Sequence, residues 1–341
     1  MVETPAHTAP LSRRFSVAPM MDWTDRHCRM FHRQLSRHAL LYTEMVTADA
    51  VIHGDQARLL GFDGAEHPIA LQLGGSEPDK LAAAVKIALE FQYDEINLNV
   101  GCPSDRVQSG SFGACLMAEP ELVADCIRAM QDAAGAVPIT VKCRIGIDEQ
   151  DEEQALRSFV EIVSERGGAT SFAVHARKAW LKGLSPKQNR EVPPLNYPLV
   201  YALKQELPDL EIAINGGIPD LDAVATHLGH VDGAMVGRAA YQTPWVLADV
   251  DRRFFAADNP VQTPHQAIRN YLPYVEGCLS AGVPLKSMTR HMMGLFAGAK
   301  GARAWRRTLS EQAHKDGAGP EVLLQALSCV SEAPYLEGHA A

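Results

Sequence analysis

The sequence predicts an α/β fold, a (β/α)8 TIM barrel with an appended C-terminal α-helical domain. Short apolar runs alternate eight times with segments of helical length, a pattern typical of parallel βαβ units, and eight such units close a barrel. The chain has 341 residues, enough for a barrel of typical size and a smaller additional unit. Beyond residue 257 the alternation stops and only helical patterns follow.

Each predicted strand is a short apolar run, and a helical pattern follows several of them. An open doubly wound sheet is the alternative, but its G-x-G-x-x-G turn is missing after the first strand, because Ala18-Pro19-Met20-Met21 stands there. The predicted strands are residues 15–20, 41–46, 69–74, 95–100, 139–145, 171–177, 211–215 and 233–236. The predicted barrel helices include residues 78–91, 121–134, 152–166 and 221–228.

Composition divides the chain into three predicted segments. Residues 1–12 are mostly polar or small, with several prolines and threonines, and we expect them to form a disordered N-terminal tail. Residues 13–257 are the predicted barrel, and residues 258–341 are the predicted helical domain, reached through a polar linker at 256–263. The predicted helices of that domain are residues 264–281, 285–299, 303–314 and 320–333.

The formal net charge of −9 is unfavourable for a protein that grips nucleic acid. The charge is unevenly distributed, however. Between Lys286 and Lys315 there are seven lysine or arginine residues and one acid, Glu311, whereas acids crowd at 148–153. A locally basic C-terminal segment is compatible with a nucleic-acid partner.

The seven cysteines include no C-x-x-C pair, which argues against a disulfide framework, an iron–sulfur cluster or a zinc ribbon. No metal site is expected. No apolar run approaches the roughly 20 residues needed to cross a bilayer, and the N-terminus lacks the features of a signal peptide. The sequence therefore predicts a cytoplasmic protein with no membrane association.

Polar and glycine residues stand at the C-terminal ends of most predicted strands. Barrel enzymes build their active sites at this rim, so these residues form the predicted site. They are Gln72, Asn97, Asn99, Cys102, Lys142, Arg144, His175, Arg177, Asn215, Gly216, Gly217, Gly237 and Arg238.

The loops after the seventh and eighth predicted strands have the composition of a phosphate site. Asn215-Gly216-Gly217 and Gly237-Arg238 combine a guanidinium with glycines, which let backbone N–H groups approach an anion closely. Barrels commonly bind phosphate at this place. A phosphorylated cofactor is therefore expected, with two tight turns as the alternative.

Lys142 and Cys102 carry the predicted chemistry. Strand alternation places Lys142 inside the barrel, where a lysine is unfavourable unless an anion meets it. A reduced flavin supplies such an anion, and an ion pair with Glu44 or Asp22 is the alternative. Cys102 begins a glycine-rich loop that could close over a site. A thiol is mostly protonated at neutral pH, so Cys102 could act as a general acid.

Several strings of this sequence closely resemble the tRNA-dihydrouridine synthase family. The likeness runs from about residue 14 to 330, and its string Asn97-Leu98-Asn99-Val100-Gly101-Cys102-Pro103-Ser104 is highly specific by itself. The other matching strings are at residues 16–26, 70–75, 95–96, 141–142, 174–177, 214–217 and 236–238. Stretches that resemble the bacterial A-type branch are at residues 24–29, 181–187 with 189–190, and 301–307.

The resemblance implies a flavin barrel and a helical domain that together cradle tRNA. It implies FMN as the cofactor, NADPH as the electron donor, and an oxidoreductase that converts D-loop uridines, at positions 20 and 20a for this branch, to 5,6-dihydrouridine. Hydride from flavin N5 would add at C6 of uracil, and Cys102 would give a proton to C5. We expect a monomer that meets tRNA at its D-loop and elbow region.

The same resemblance gives each site residue a role. Cys102 is the predicted catalytic residue. The predicted flavin contacts are Pro19, Met20, Met21, Gln72, Lys142 and His175, and the predicted phosphate contacts are Asn215, Gly216, Gly217, Gly237 and Arg238. The predicted tRNA contacts are Asn99, Arg177, Lys187, Arg190, Arg303 and Arg306. Asn99, His175 or Arg177 could polarise a uracil carbonyl, and Trp305 is expected to pack in the core.

Two rival functions remain open at this point. A flavin barrel acting on a free small pyrimidine would not need a basic helical domain, so deletion of residues 258–341 would leave its site largely intact. An RNA-binding or chaperone protein that kept a flavin fold would bind RNA without modifying it.

Overall fold

Eight parallel strands close a barrel in the order of the sequence. The computed structural model describes residues 11–104 and 110–332, so residues 1–10 of the predicted tail and residue 333 of the last predicted helix lie outside the described residues. The last strand pairs with the first, where Phe15 lies opposite Ala234. The predicted TIM barrel is therefore confirmed, and the open sheet is excluded. The strands are β1 (Phe15–Val17), β2 (Leu40–Thr47), β3 (Ile69–Gly74), β4 (Glu95–Val100), β5 (Ile139–Arg144), β6 (Ser171–His175), β7 (Glu211–Asn215) and β8 (Gly233–Val236).

The largest difference between predicted and observed strand limits is in β1. The sequence predicts that this strand reaches residue 20, but it ends at Val17. The Ala18 N–H still donates to the carbonyl oxygen of Val236 at 2.8 Å. Pro19 has no N–H to continue the ladder, so the strand ends before it.

Several connecting helices begin at residues that favour helix starts. Asp25, Asp151 and Asn196 each accept a hydrogen bond from the backbone N–H three residues further on. Pro78 and Pro120 each lie in a first helical turn. The helices up to β8 are α1 (Arg26–Leu35), α2 (Ala48–His53), α3 (Gln56–Leu60), α4 (Pro78–Ala88), α5 (Pro120–Ala134), α6 (Glu152–Glu165), α7 (Tyr197–Glu206) and α8 (Leu221–His227). Short 3-10 turns cover Gly64–Glu66, Leu89–Phe91, Gly113–Ala118 and Gln188–Arg190.

The core of the barrel combines an apolar cluster with buried polar side chains. On β4, Glu95, Asn97 and Asn99 are buried at alternate positions, and Thr140 on β5 is buried beside them. Lys142 follows Thr140 by two residues, so both lie on the inward face of β5. The apolar cluster consists of Ala18, Leu40, Tyr42, Ala70, Ala173, Ala213 and Met235.

The chain forms two compact units. Of the described residues, the first unit holds 11–21, 40–104, 110–218 and 222–237, which include all eight strands. The second unit holds 22–39, 219–221 and 238–332. The functional domain limits at 13–257 and 258–341 stay a prediction.

The described part of the second unit is built from helices and turns, in agreement with the predicted helical domain. Its core includes Trp305, which is fully buried, as predicted, and packs edge-on against Phe296 with 4.9 Å between ring centroids. The helices after β8 are α9 (Arg238–Gln242), α10 (Val250–Phe255), α11 (Pro264–Ser280), α12 (Leu285–Thr289), α13 (Ala302–Gln312) and α14 (Pro320–Ser328), with 3-10 turns at Pro244–Asp249 and Arg290–Met292. None of the helices in the described ranges has both the length and the apolar character that a membrane crossing requires.

The helix predicted at residues 285–299 is wrong after Thr289. α12 ends at Thr289, and a 3-10 turn and further turns follow. Gly294 lies so close to Gln242 that a Cβ on it would come within 1.8 Å of the Gln242 carbonyl oxygen, and Gly298 has a φ of +82°. A close backbone approach and a left-handed glycine break the helical path here.

Candidate active site at the C-terminal end of the barrel

The predicted rim residues of the first unit lie side by side on neighbouring strands. All eight strands are parallel, so their C-terminal ends share one face of the barrel. Asn99 lies opposite Lys142 across the β4–β5 pair, and His175 lies opposite Asn215 across the β6–β7 pair. The structure thus brings together side chains that are far apart in the sequence.

Lys142 projects into the barrel, as the alternation of β5 predicts. Its Nζ donates a hydrogen bond to Asn215 Oδ1 at 3.1 Å, and Asn215 Nδ2 donates to the Met235 carbonyl oxygen at 2.7 Å. Among the described residues of its own unit Lys142 makes no ion pair with a carboxylate, which argues against the alternative pairing with Glu44.

The pKa of Lys142 is lowered from 10.5 to about 8, first by burial and then by the nearby Arg144 guanidinium. The side chain keeps some contact with solvent, yet burial of the ammonium is the larger cause. A buried cation without a carboxylate partner is a favourable place for a bound anion.

His175 is a neutral imidazole at pH 7. Burial and the cations Arg144, Lys142 and Arg177 hold its pKa well below 6.5. A neutral imidazole has one N–H donor and one acceptor nitrogen, so His175 can either donate a hydrogen bond to a ligand or accept one from it.

Gly216 and Gly217 form a tight left-handed turn after β7. Their φ values are +113° and +67°. A Cβ on Gly216 would come within 2.6 Å of His175 Cδ2, and a Cβ on Gly217 would come within 2.5 Å of Leu195 Cδ1. Tyr197 Oη donates to the Gly216 carbonyl oxygen at 2.7 Å. Contacts with neighbouring protein atoms, without any ligand, therefore require glycine at both positions.

Gly237 differs from these two glycines because its surroundings are open. A Cβ on Gly237 would meet only Ala18 Cβ, at 3.9 Å. Among the described residues, no protein atom comes close enough to Gly237 to require glycine at this position. Arg238, the next residue, begins α9 in the second unit.

Asn99 fixes the start of the loop that carries Cys102. Its Oδ1 accepts hydrogen bonds from the N–H groups of Gly101 at 3.1 Å and Cys102 at 3.0 Å. The Cys102 carbonyl oxygen accepts from the Ala114 N–H at 2.9 Å, which closes the far side of the loop. Cys102 is half-buried, and its side chain lies close enough to Lys142 to raise the Lys142 pKa against the stronger effect of burial.

Arg144 has a structural role that the sequence did not reveal. It is buried, and its guanidinium donates to the carbonyl oxygens of Gly101 at 2.8 Å, Lys178 at 2.9 Å and Asn189 at 3.0 Å. Burial, together with Arg190 and Arg177, lowers its pKa to about 10, although Cys102 acts in the opposite direction. Arg144 therefore links the Cys102 loop to the loop after β6. The only signal in the sequence was its position two residues after Lys142, on the same strand face.

The loop after β6 presents basic side chains to solvent. Asn189 is fully buried and holds the loop together, because its amide bonds both the N–H (2.8 Å) and the carbonyl (2.8 Å) of Trp180. Lys187 and Arg190 are exposed on either side of it. Arg177 is partly buried and donates to the carbonyl oxygens of Glu191, at 3.2 Å, and Pro193.

The residues after β1 lie between the interior and solvent. Pro19 and Met20 are half-buried, and Met21 is 55 % exposed. An exposed methionine at a barrel rim can pack against a flat apolar ring.

Helix α13 in the second unit separates apolar and basic faces. Ala302, Trp305 and Leu309 are buried, whereas Arg303 and Arg306 are exposed. The predicted tRNA contacts of this unit thus point to solvent on one side of a well-anchored helix.

A hollow of about 740 Å3 against α6 and α7, away from the predicted residues, is acidic. Its lining includes Glu149, Asp151, Glu152, Glu153 and Glu206. A phosphate backbone would be repelled there, so the hollow is a poor candidate for an RNA contact.

Comparison with known proteins gives a family match over nearly the whole chain. A family model described as "Dihydrouridine synthase (Dus)" matches residues 16–332. The chain is 57 % identical over 321 residues to a "tRNA-dihydrouridine(20/20a) synthase" of Vibrio vulnificus (strain CMCP6), covering 94 % of this chain and 98 % of that protein. It is 57 % identical over 321 residues to the protein of the same name from Escherichia coli (strain K12), covering 94 % and 92 %.

Solved structures with a similar fold have little sequence in common with this chain. A 2-naphthoyl-CoA reductase in complex with 2-naphthoyl-CoA gives a TM-score of 0.55 at 8 % identity, covering 70 % of this chain and 50 % of that chain. TcOYE with pHBA gives a TM-score of 0.52 at 11 % identity, covering 76 % and 94 %. At such identities the likeness concerns the fold alone.

Proposed function

Because this chain belongs to the dihydrouridine synthase family, we propose that it is an oxidoreductase that reduces uridines of tRNA to 5,6-dihydrouridine. The observation that carries the proposal is the position of Cys102, just after β4, beside Lys142 on the neighbouring strand β5: Lys142 lies opposite Asn99, whose Oδ1 accepts from the Cys102 N–H at 3.0 Å. Such a site offers a proton donor and an anion-binding group to the same ring. The relatives' name gives tRNA positions 20 and 20a, and we extend these D-loop positions to this chain.

The rim residues fit FMN. Lys142 supplies a buried positive charge, which favours the negative charge of a reduced flavin. The neutral imidazole of His175 can bond the ring edge, and Gln72 lies deeper on the same face of the barrel. Pro19, Met20 and Met21 would line the ring. When bound, FMN would take up hydride from NADPH and supply it to C6 of the uracil.

The open space beside the Gly237 Cα supports the phosphate position. The Gly237 N–H lies at the end of β8, beside the end of β7 that carries Asn215, Gly216 and Gly217. Barrels bind phosphate with these two loops and a helix N-terminus. Arg238 would add charge-assisted hydrogen bonds to the same group.

Within this chain Cys102 would protonate the uracil. Addition of hydride at C6 leaves an enolate, because the C5=C6 bond is conjugated to the C4 carbonyl. Cys102 then gives its thiol proton to C5 and is reprotonated from solvent. Arg144 ties the start of the Cys102 loop to the loop after β6 and would hold Cys102 in place during the transfer.

We assign tRNA binding to residues in both units. In the first unit these are Asn99, Arg177, Lys187 and Arg190, and in the second unit they are Arg303 and Arg306. A uridine must leave its loop to reach the rim, and unstacking costs a few kcal/mol, which phosphate contacts can offset. A monomer acting in the cytoplasm remains the expected form.

The proposal is tested by incubating the purified protein with NADPH and tRNA that lacks dihydrouridine. Dihydrouridine at positions 20 and 20a, absent without the protein, is the expected result. A parallel reaction with free uracil separates the rival functions. Turnover of free uracil as fast as tRNA would identify an enzyme for small pyrimidines, and tRNA binding without any reduction would identify an RNA-binding protein.

A further inference from the structure

A continuous series of hydrogen bonds crosses the interior of the barrel. It starts at Glu95, the first residue of β4, to which Thr140 Oγ1 donates at 2.6 Å. Asn97 Nδ2 donates to Thr140 Oγ1 at 2.8 Å, and Gln72 Nε2 donates to Asn97 Oδ1 at 2.9 Å. All four side chains are at most 3 % exposed. The series therefore lies out of solvent over this part of its length.

The series ends at the main chain of Cys102. Asn99 Nδ2 donates to Gln72 Oε1 at 2.8 Å. Asn99 Oδ1 in turn accepts from the N–H groups of Gly101 and Cys102 at 3.1 and 3.0 Å. Side chains alone thus connect Glu95, at the N-terminal end of β4, to the main chain of the predicted proton donor Cys102.

The two ends of the series fix the direction of every bond in it. Backbone N–H groups can only donate, so Asn99 must turn its oxygen to Gly101 and Cys102. At the other end the Glu95 carboxylate accepts from Thr140 and Tyr42, and it forms an ion pair with Arg13 in which Nε lies 2.5 Å from Oε2. A buried carboxylate paired with a guanidinium is an acceptor. The orientations of the three amides between these ends are therefore not interchangeable.

This direction decides what the amides can offer to a ligand. The oxygens of Gln72 and Asn99 are both used inside the series. Each amide nitrogen carries two hydrogens, and the series uses one of them. The remaining hydrogen on each nitrogen is a donor, so both amides can bond carbonyl oxygens or ring nitrogens. Asn99 Oδ1 already accepts two hydrogen bonds, so Asn99 offers a ligand a donor only.

We propose that Glu95, Thr140 and Asn97 are positioning residues that hold Gln72 and Asn99 with their N–H groups toward the ring at the rim. The same series holds the main chain of Cys102. The ring is either the pyrimidine part of a flavin or a uracil, both of which carry carbonyl groups, and this identification rests on the proposed function. The order of the hydrogen bonds does not depend on the proposed function.

Thr140 offers a matched pair of variants. Thr140→Val keeps nearly the same shape and removes the hydroxyl, so Asn97 loses its acceptor and the series is cut. Thr140→Ser keeps the hydroxyl and removes only a methyl group. Ser171→Ala, which removes a buried hydroxyl from β6 outside the series, serves as the control for strand substitution.

Three measurements on the purified full chain test the proposal. FMN affinity is followed by quenching of flavin fluorescence, kcat and KM are measured with tRNA, and alkylation of Cys102 by iodoacetamide is followed by peptide mass spectrometry. For Thr140→Val we expect about tenfold weaker FMN binding, the effect of one lost hydrogen bond, and a lower kcat with KM for tRNA within twofold. We also expect at least threefold faster alkylation of Cys102, because its main chain is less firmly held.

Thr140→Ser and Ser171→Ala should stay within about twofold of the original chain in all three measurements. Equal effects of Thr140→Val and Thr140→Ser would overturn the proposal, because the cause would then be packing. Unchanged FMN binding and alkylation in Thr140→Val would overturn it as well. Should the chain bind no FMN, the proposed function fails, and the difference in Cys102 alkylation between the two Thr140 variants still decides the positioning role.

Discussion

Replacing Lys142 by methionine should stabilise the cofactor-free fold while it weakens anion binding. Burial lowers the Lys142 pKa from 10.5 to about 8, which corresponds to about 3 kcal/mol of destabilisation at pH 7. Solvent contact at the rim reduces this figure. Methionine also forfeits the hydrogen bond to Asn215, worth about 1 kcal/mol. A net gain of about 1–2 kcal/mol in the free energy of unfolding is expected for Lys142→Met.

The pH dependence gives the sharper measurement. Between about pH 8 and pH 10.5 the unfolded chain holds the Lys142 proton and the folded chain has released it. Proton release on folding makes the stability of the original chain rise with pH in this window, by at most 1.4 kcal/mol per pH unit. The methionine variant lacks this rise. Its advantage should therefore shrink by up to about 2 kcal/mol between pH 7.5 and pH 9.5.

Urea unfolding of FMN-free protein, followed by circular dichroism across this range, measures the difference. Lys86→Met, at an exposed position on α4, controls for loss of a lysine as such. Parallel stability curves for the original chain and Lys142→Met would refute the assignment of Lys142 as an uncompensated buried cation. A loss of stability at pH 7 would refute it too.

Three more substitutions test the proposed site. Cys102→Ala should slow the reduction of tRNA at least about 100-fold and leave the reduction of flavin by NADPH unchanged, as measured by stopped-flow absorbance. Cys278→Ala is the control. Equal loss in both half-reactions would contradict the proton-donor role of Cys102. Gly237→Ala should change the free energy of unfolding by less than about 0.5 kcal/mol, since its Cβ would meet only Ala18 at 3.9 Å. The same substitution should weaken FMN binding. Unaltered FMN affinity would indicate that Gly237 belongs to a tight turn and not to a phosphate site. Arg303→Ala should lower the slope of log K against log salt for tRNA by about one phosphate contact, and an unchanged slope would place the residue off the interface.

The sequence predicts the barrel well because its signal is local. Eight apolar runs with helical spacers are visible without any tertiary information, and alternation along β5 alone places Lys142 inside. The resemblance to a known family then attaches roles to residues at the strand ends. These roles stay predictions, but the structure does bring Cys102, Lys142 and Asn215 to one rim.

What the sequence misses depends on contacts between distant segments. Arg144 gains its role from three carbonyl groups in other loops, and no local pattern marks them. The bonds from Glu95 through Thr140 to Gln72 depend on the stagger of β3, β4 and β5, which only the closed barrel sets. The helix predicted at 285–299 failed for the same reason, because Gly294 meets the carbonyl of Gln242.

The way in which Arg144 is bonded has a consequence for how this protein can diversify. All three of its acceptors are main-chain oxygens, which every amino acid possesses. The side chains at positions 187 and 190 can therefore be exchanged without loss of these three hydrogen bonds, whereas Asn189, whose side-chain amide bonds Trp180, cannot. The exposed side chains of this loop can thus vary while the hydrogen bonds from Arg144 that hold its main chain are kept.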